Sequence, residues 1–489
     1  MPWCACGSGA MLLQDTSTLS PCAAPLGATV ATCGRHTMMI ADGSVLASGS
    51  NELGQLGLGL GLDDDTIEAP PRGLSLPLPV RRIACGWSHT AILLADGSLL
   101  TCGANSHGQL GLGLAAGASV RTPTRVPLLP PLADVAAGGS HTLALCAGGG
   151  GAWAWGRNRH GALGVGGGAE AQLSAARVEG LAALLPPGTT LSAVAAGWAF
   201  SAALTSDGRV VTWGDNRHGQ CGRPPRGRGG EGVGGGGGEA GGGGGGESDG
   251  GGGGENGGLR SRESGGERGV LRSGPRAAES AWERGEKCGG DGRPAPAPAL
   301  NLTPTPTPTP APPRATATPR DDVLPPGAAA LLPGVVATGS LACGWSHVAV
   351  LATREAPQPQ GQEQPEAQAQ GQLLTWGRAD LGQLGRAPLT SERHDWRPLC
   401  SSGSDAPGGD AHEGGTFRAV AAACGAEHTL SLGACGCVLA CGWNEHGNLG
   451  MGDVENRLGW TRIPMLGCGG EGPRATAVAA GGAVTFVQS

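Results

Sequence analysis

The stretch CGWSHTAILLADGSLLTCGANSHGQLG, residues 85–111, decides the fold of this chain. Two apolar runs flank Asp96-Gly97, a dipeptide that is typical of the tight turn of a β-hairpin. The glycines before His89 and in the closing Gly108-Gln109-Leu110-Gly111 fit tight loops in which a side chain would be strained or would clash. The stretch therefore predicts hairpin strands enclosed by two glycine-dependent turns.

The same pattern recurs along the chain, and such recurrence is the sequence signature of a repeat protein. The glycine at the first turn recurs as Gly34, Gly86, Gly138, Gly197, Gly344, Gly425 and Gly481. The first glycine of the closing loop recurs as Gly54, Gly108, Gly161, Gly219, Gly382 and Gly447. Short strands at this spacing predict an all-β fold, a seven-bladed β-propeller, in preference to a helical solenoid.

The two ends of the chain each carry half of the remaining repeat. Ala5-Cys6-Gly7 matches the strand that precedes a closing loop, and Gly481 with residues 484–487 matches the first half of a repeat. Pairing of these halves leaves no open sheet edge between the first and last blades. We therefore expect the N- and C-terminal half-repeats to close the ring.

Residues 223–322 interrupt the repeats with glycine runs, a Pro-Thr series and scattered Arg and Glu. This composition cannot bury enough apolar surface to offset the entropy of ordering, so we predict a disordered insertion. The expected organisation is a first propeller part at 1–222, with the N-terminal half-blade and four repeats, then the insertion, then a second part at 323–489 with two repeats and the C-terminal half-blade.

Charge and hydropathy exclude several classes of partner. The 33 Lys and Arg residues are outnumbered by 40 Asp and Glu, giving a net charge of −7, so direct binding to a nucleic-acid backbone is not expected. No apolar run spans a bilayer, and no basic segment of a signal peptide precedes the first short apolar stretch. We expect a monomer in the cytoplasm or nucleus, without membrane contact and with its 16 cysteines reduced.

One histidine position recurs in five repeats and takes Phe200 and Val484 in the others. A catalytic group is not needed five times in one chain. A buried imidazole that forms hydrogen bonds between strands, in contrast, is needed once in every repeat. We interpret the series as structural histidines: His36, His89, His141, His347 and His428.

A second set of polar and aromatic residues lies in the closing loops, which share one side of a propeller. We expect these loops to form a partner-binding face of the ring. Its candidate residues are Arg157, Arg159, His160, Arg217, His218, Arg378, Trp443, Glu445 and His446. No constellation of a nucleophile with a base, and no phosphate-binding loop, stands out from the repeats, so we expect no conventional active site and no cofactor.

The cysteines at Cys4-x-Cys6 and Cys435-x-Cys437 raise the question of zinc, because the two termini are expected to meet. Their spacing is shorter than that of the usual zinc motifs. Other cysteines take repeat positions that hold Trp or Ala elsewhere, as in Cys102 and Cys441. We therefore expect small core residues and no metal site.

The Gly-x-x-His-Thr, Asp-Gly and Gly-Gln-Leu-Gly series resembles the repeat of the RCC1 (regulator of chromosome condensation) family over nearly the whole chain outside 223–322. Within the last full repeat, the segment at residues 441–450 is similar to that of secretion-regulating guanine nucleotide exchange factors and of fungal α-tubulin suppressor-like proteins. This resemblance implies a propeller that binds a protein partner on one face.

Three functions follow from the resemblance. The first is an interaction scaffold or regulator, and the second is guanine nucleotide exchange on a Ras-like small GTPase, which needs differential binding and no acid–base residues. The third is a light sensor like the plant UV-B photoreceptor, which the motifs around Trp87, Trp198 and Trp345 resemble. That family has Arg after the Trp, where this chain has Ser or Ala, so the third function is the least favoured.

Overall fold

The chain is a seven-bladed β-propeller. The structure, a computed structural model, describes residues 3–7, 16–21, 28–59, 66–149, 151–166, 168–224, 329–332, 335–354, 372–386, 394–400, 417–464, 466 and 473–489. Within these residues, 28 strands form seven antiparallel sheets of four strands each. The predicted fold class and blade number are therefore confirmed.

Each blade contains four strands, which are given below from the innermost to the outermost. Blade 1 contains β3 (Thr29–Cys33), β4 (His36–Ala41), β5 (Ser44–Ser50) and β6 (Thr66–Leu74). Blade 2 contains β7 (Val80–Cys85), β8 (His89–Leu94), β9 (Leu99–Ala104) and β10 (Ser119–Arg125). Blade 3 contains β11 (Leu132–Ala137), β12 (His141–Cys146), β13 (Ala152–Arg157) and β14 (Ala171–Arg177).

The remaining blades follow the same order. Blade 4 contains β15 (Leu191–Ala196), β16 (Phe200–Thr205), β17 (Val210–Gly214) and β18 (Ala330–Leu331). Blade 5 contains β19 (Val335–Cys343), β20 (His347–Arg354), β21 (Gln372–Arg378) and β22 (His394–Cys400). Blade 6 contains β23 (Ala419–Cys424), β24 (His428–Gly433), β25 (Val438–Gly442) and β26 (Arg457–Arg462). Blade 7 contains β27 (Ala477–Gly481), β28 (Val484–Gln488), β1 (Trp3–Gly7) and β2 (Thr16–Pro21).

Blade 7 closes the ring as predicted, because its strands come from both ends of the chain. β1 pairs antiparallel with β28, with Ala5 opposite Phe486 and Gly7 opposite Val484. The first strands of all seven blades contact their neighbours around the axis, including β27 with β3. The closure therefore rests on backbone hydrogen bonds as well as on side-chain packing.

The predicted insertion interrupts blade 4 between β17 and β18. Of residues 223–322, all but Arg223 and Pro224 lie outside the described residues, so the predicted disorder stays a prediction. After the gap, Ala330 and Leu331 return to pair with Thr212 and Val211.

The apolar core is divided among the interfaces between blades. Each of the hydrophobic clusters formed by the described residues joins two neighbouring blades, such as the one that packs Leu145 and Leu163 of blade 3 against Val194 and Trp213 of blade 4. The longest helix in the described part, Leu181–Leu184, has four residues. No helix there has the length and apolarity needed to cross a membrane.

The two faces of the ring differ in their loops. We call the loop face the side that carries the turns between first and second strands and the loops between third and fourth strands. Backbone hydrogen bonds fasten these two sets together, as where the Ala104 N–H donates to the Ser88 carbonyl at 2.8 Å. The opposite face carries the Asp-Gly turns and the connections between blades.

A belt of buried histidines links neighbouring blades at five of the seven blade interfaces. The Nε2 atom of His89 lies 3.0 Å from the Thr142 hydroxyl, which itself donates to the Gln109 carbonyl at 2.8 Å. Because the hydroxyl proton is used in that bond, its oxygen accepts and the imidazole Nε2 carries the proton. The same contact joins His36 to Thr90, His141 to Ser201, His347 to Thr429 and His428 to Thr485.

Four of the first-turn glycines, Gly86, Gly138, Gly344 and Gly425, lie directly against imidazoles of this belt. A Cβ placed on Gly86 would lie 2.1 Å from Cε1 of the His89 ring, and one on Gly425 would lie 2.0 Å from Cε1 of His428. No side chain fits at that distance, so the imidazole occupies the volume that the glycine leaves open. The spacing Gly-x-x-His in the sequence is thus a packing requirement.

The belt is interrupted at two blade interfaces. Between blades 4 and 5, Phe200 and Val348 pack in one apolar cluster in place of a histidine and a hydroxyl. Between blades 7 and 1, Val484 replaces the histidine, and the Thr37 hydroxyl donates instead to Thr32 at 3.1 Å. Where the imidazole is lost, the hydroxyl is either lost with it or finds another partner.

This compensation predicts non-additive stability changes. His89→Phe or Thr142→Val alone should each lower the free energy of unfolding by about 1–3 kcal/mol, because each leaves a buried polar partner without its bond. The double variant, which copies the Phe200–Val348 pair, should lose clearly less than the sum of the two. Urea unfolding of the unaltered chain, the two single variants and the double variant measures this double-mutant cycle. Additive losses would show that the pair contributes no coupling.

The belt also predicts acid sensitivity. Burial lowers the pKa of His89 and His347 to about 3 and the pKa of His36, His141 and His428 to about 4. These side chains titrate near pH ~6.5 in an unfolded chain. Between those values the unfolded state binds more protons, so the free energy of unfolding should fall as the pH drops below about 6.5.

Urea titrations at successive pH values measure this loss. Because burial lowers all five pKa values, their contributions to this loss have the same sign. The His89→Phe variant should show a shallower pH dependence than the unaltered chain. A stability that stays constant between about pH 7 and 5 would contradict the prediction.

Candidate functional site

Three tryptophans meet at the centre of the loop face. Trp87, Trp198 and Trp345 come from the first turns of blades 2, 4 and 5, and their ring centroids are 5.0–5.4 Å apart. The interplanar angles of 55–73° are those of edge-to-face and tilted packing, which aromatic pairs favour. Trp87 and Trp198 remain 36% and 37% exposed. The centre of this face is therefore an apolar surface open to solvent.

A chain of backbone hydrogen bonds holds this tryptophan cluster in place. The Trp198 N–H donates to the Trp345 carbonyl at 3.0 Å, and the Trp345 N–H donates to the Ala426 carbonyl at 2.9 Å. The other positions around the axis are small, and a Cβ on Gly139 would lie 2.8 Å from the Trp198 carbonyl oxygen. Large indoles fit at three blades because their neighbours have little or no side chain.

The closing loops around the cluster are braced by their own side chains. In blade 2, the Asn105 carboxamide oxygen accepts from the Leu110 N–H at 3.2 Å, and the Gln109 oxygen accepts from the His107 N–H at 2.9 Å. The equivalent bonds recur in blade 4 from Asn216 and Gln220. The residues between the bracing Asn and Gln are thereby turned outwards on fixed loops.

One side of the loop face is basic. We call the basic sector the charged group of blades 3 and 4 around the His160 ring: Arg157, Arg159, Arg217 and Asp215. Arg217 binds Asp215 through Nε and one terminal nitrogen at 2.8–3.1 Å. Burial raises the pKa of the Asp215 carboxyl, but its bonds to Arg217 outweigh burial and bring the pKa below its usual value. The Asp215 carboxylate is thus neutralised by Arg217.

The side formed by blades 5 and 6 is acidic. Here Arg378 bridges Asp380, at 2.7 Å, and Glu427. Burial raises the pKa of Glu427, with Asp380 and Glu445 adding to the rise and Arg378 opposing it. The single guanidinium therefore does not cancel the negative field of the three carboxylates.

The structure brings the nine sequence-predicted residues onto the loop face, but into different groups. Arg157, Arg159, His160 and Arg217 belong to the basic sector. His218 lies next to it, where burial lowers the pKa of its ring. Arg378 and Glu445 belong to the acidic side, where the rings of Trp443 and His446 are in T-shaped contact at 5.1 Å.

Sequence reasoning missed the acidic residues that complete these groups. Asp215, Asp380 and Glu427 each take a position that other repeats fill differently, so no repeat pattern marked them. One sequence feature could have identified them. Each lies near a strand-ending glycine or in a first turn, and both of these lie on the loop face. Their pairing with arginines of the same or the next blade became visible only in the folded ring.

Cys102 and Cys441 are fully buried in the core. The Cys102 and Cys441 thiols lie 3.6 and 3.7 Å from the carbonyls of Gln55 and Gln383 of the preceding blade. The described residues hold no group of three or more His, Cys, Asp and Glu arranged to share a metal ion. Cys437 is disulfide-bonded, so the expectation that all cysteines are reduced was wrong for this residue.

Comparison with known proteins places the repeats in a family. A model of the regulator of chromosome condensation (RCC1) repeat matches residues 42–93, 96–145, 370–432 and 436–488. A second model of this repeat matches residues 80–109, 133–162 and 192–220, and together the matches cover more than half of the chain. The chain belongs to the RCC1 repeat family.

The relatives of this RCC1-repeat protein differ in overall length. It is 36% identical over 199 residues to the probable E3 ubiquitin-protein ligase HERC6 of Homo sapiens, and the aligned region covers 40% of this chain and 19% of the relative. It is 32% identical over 189 residues to the secretion-regulating guanine nucleotide exchange factor of Bos taurus, and the aligned region covers 38% of this chain and 40% of the relative. The matched region thus spans less than half of either relative.

A solved structure confirms the architecture over the full ring. The crystal structure of Prp20p from Saccharomyces cerevisiae superposes with a TM-score of 0.62 at 17% identity, covering 99% of this chain and 90% of that one. At this identity the likeness concerns the fold. Function has to be argued from the loop face of this chain.

Proposed function

We propose that this RCC1-repeat propeller is a regulator or scaffold that binds a partner protein through its loop face. The observation that carries the proposal is the exposed tryptophan cluster, Trp87, Trp198 and Trp345, at the centre of that face. A central aromatic patch surrounded by charged residues is the usual composition of a protein interface. Tryptophan and arginine dominate the binding energy of such interfaces.

The rigidity of the face supports this function. The indoles are fixed by backbone hydrogen bonds and by one another, so little conformational entropy is lost when a partner covers them. Basic blades 3 and 4 and acidic blades 5 and 6 flank the cluster, and this polarity orients an approaching protein. A partner that fits presents an apolar patch between groups of opposite charge.

Guanine nucleotide exchange on a Ras-like small GTPase is the alternative. The family resemblance to a secretion-regulating guanine nucleotide exchange factor favours it. Exchange requires a surface that binds the nucleotide-free GTPase more tightly than the loaded one, without acid–base groups. The exposed tryptophan cluster of the loop face supports this alternative as well as the scaffold, and the two functions differ in the identity of the partner.

Affinity capture from cell extract, with and without EDTA, separates these functions. EDTA removes Mg²⁺ and so empties GTPases of nucleotide. A GTPase recovered only with EDTA, whose nucleotide release the purified chain accelerates, indicates exchange. A partner that is not a GTPase and is recovered under both conditions indicates a scaffold.

The same capture tests the loop face. Trp198→Ala should reduce recovery of the partner at least about tenfold, because a central tryptophan commonly contributes 2 kcal/mol or more (~thirtyfold in affinity). Leu458→Ala is the matched control, since Leu458 is 58% exposed on β26 at the outer edge of blade 6. Unchanged recovery with Trp198→Ala, in a variant that melts like the unaltered chain, would exclude the tryptophan cluster as the binding surface.

Light sensing is a further, less favoured candidate. The contacts among the three indoles favour it. However, Ser88, Ala199 and Ser346 stand where the plant photoreceptor family has arginines. Gel filtration should show the same elution volume before and after ultraviolet-B irradiation. A shift in elution volume would revive the light-sensor function.

A further inference from the structure

One leucine on the face opposite the loop face is almost completely exposed. Leu128 lies in the connection from blade 2 to blade 3, and it is 95% open to solvent. Its φ of 60° is a left-handed conformation, which a turn after proline usually assigns to glycine or asparagine. The fold thus keeps a leucine where backbone strain and solvent exposure both disfavour it. Strained residues of this kind concentrate at functional sites, so Leu128 is a candidate contact residue.

A cavity of about 370 Å³ lies on the same face, next to the strand that leads to Leu128. Leu76 and Leu78 of the connection from blade 1 to blade 2 form one wall, and Leu94 and Leu100 of blade 2 form another. We call it the leucine cavity. Protein cavities of ~150 Å³ already admit benzene, so an aliphatic side chain fits here.

Backbone hydrogen bonds attach the leucine cavity and the connection of Leu128 to one hairpin of blade 2. The Ala95 N–H donates to the Pro79 carbonyl at 2.9 Å, which fixes a wall of the cavity. The Leu132 N–H donates to the Gly97 carbonyl, also at 2.9 Å, which fixes the end of the connection. Both features are therefore formed in the free chain, and little conformational entropy is lost when they bind.

Other connections between blades bury their leucines. Leu181 after blade 3 and Leu466 after blade 6 are each 3% exposed and pack in the apolar clusters between blades. In the connection after blade 1, by contrast, Leu78 is 41% exposed beside the cavity. An apolar side chain from another molecule therefore finds an apolar site on this face.

The rim of the leucine cavity carries one charge of each sign, Asp96 and Arg125. The Ser98 N–H and hydroxyl donate to the Asp96 carboxylate at 2.9 and 2.6 Å. These bonds lower the pKa of Asp96, and the charge of Arg125 lowers it further, so the carboxylate is ionised at neutral pH. Within the described residues no ion pair joins Asp96 to Arg125. A rim with both charges is complementary to a second copy of itself.

We propose that two copies of this chain associate through the face opposite the loop face, with Leu128 of each copy in the leucine cavity of the other. A twofold axis exchanges the two copies, so both contacts form at once. The same axis pairs Arg125 of each copy with Asp96 of the other. The interface is small and the dimer weak, which differs from the monomer expected from the sequence.

This dimer goes beyond the proposed function, because it leaves the tryptophan cluster of both copies uncovered. Leu128 and the loop face lie on opposite sides of the ring, so the two loop faces of the dimer point away from each other. The dimer presents two partner-binding faces at once. A partner with two binding segments is then held more tightly than by one propeller.

Sedimentation velocity of the full chain measures the association. A small interface corresponds to a micromolar dissociation constant, so the protein concentration should span about 1–100 μM. The average mass should rise with concentration from that of the monomer towards that of the dimer. A monomer over the whole range would overturn the proposal. Growth beyond the dimer would overturn the twofold arrangement.

Leu128→Asn tests the leucine contact. Asparagine tolerates the left-handed conformation, so this variant should melt no lower than the unaltered chain. Its dissociation constant should rise at least about tenfold, because the dimer loses the burial of a leucine from each copy. Leu53→Asn is the matched control, since Leu53 is a 39% exposed leucine in a turn of the loop face. No rise in Leu128→Asn, or an equal rise in Leu53→Asn, would contradict the assignment.

Charge reversal tests the twofold pairing. Arg125→Glu creates two pairs of like charge in the dimer, and so does Asp96→Arg, so each variant alone should associate at least about fivefold more weakly. An equimolar mixture of the two variants restores opposite charges in both pairs and should associate more tightly than either variant alone. A mixture without this gain, from variants that melt like the unaltered chain, would exclude the pairing.

Self-association and partner binding fail separately. Trp198→Ala should leave the dissociation constant of the dimer unchanged, whereas a weaker dimer in this variant would place the contact on the loop face and overturn the proposal. Leu128→Asn in turn should still capture the partner of the loop face. Loss of capture in Trp198→Ala with a chain that stays monomeric would leave the proposed function standing and remove the dimer.

Discussion

The hydrogen bond from the histidine of one blade to the hydroxyl of the next is the contact on which the rest of the propeller depends. It fixes the distance between neighbouring blades at their inner ends, since Nε2 and the hydroxyl oxygen lie 2.9–3.1 Å apart at five interfaces. The hydroxyl in turn holds the carbonyl of the preceding closing loop, as Thr90 holds Gln55. One side chain thus positions the blade interface and the loop above it.

The functional surface follows from that contact. Under four of the five imidazoles a glycine begins the turn that faces the axis, so the residue after it sits at the centre of the loop face. At Trp87, Trp198 and Trp345 this position carries an indole, whereas Gly139, Ala426 and Gly482 leave the space that the indoles fill. The histidine belt gives the blades a common geometry. The variable residues between the belt positions determine the surface chemistry of the loop face in this chain.

Much of the fold could be predicted because its rules act within one repeat. Glycine where a ring occupies the Cβ position, Asp-Gly at the hairpin turns, and Asn with Gln to brace the loop are local requirements, and each leaves a spaced signal. Closure by the two half-repeats also followed, since an unpaired half-blade would leave open strand edges. The second strand of blade 7's N-terminal half, β2, carried no repeat signature and was not delimited beforehand.

The candidate site could be predicted only in part. The sequence identified the loops that carry Arg157, Arg159, Arg217 and Glu445, because the repeat pattern places all closing loops on one side. It did not show that Asp215 neutralises Arg217, or that Arg378 reaches across to Glu427 of the next blade. Ion pairs between residues that no repeat position defines depend on the distances in the folded ring.

The sequence by itself determined the repeat, the seven blades, the closure by both termini and the side on which the variable loops lie, because these depend on spacing and on local backbone geometry. Only the tertiary structure decided which side chains meet. Trp87, Trp198 and Trp345 are more than 50 residues apart in the chain and come into contact because the ring brings three first turns to one axis. The division of the loop face into basic and acidic sides has the same origin, since charge neighbours in a propeller are set by the order of blades around the axis.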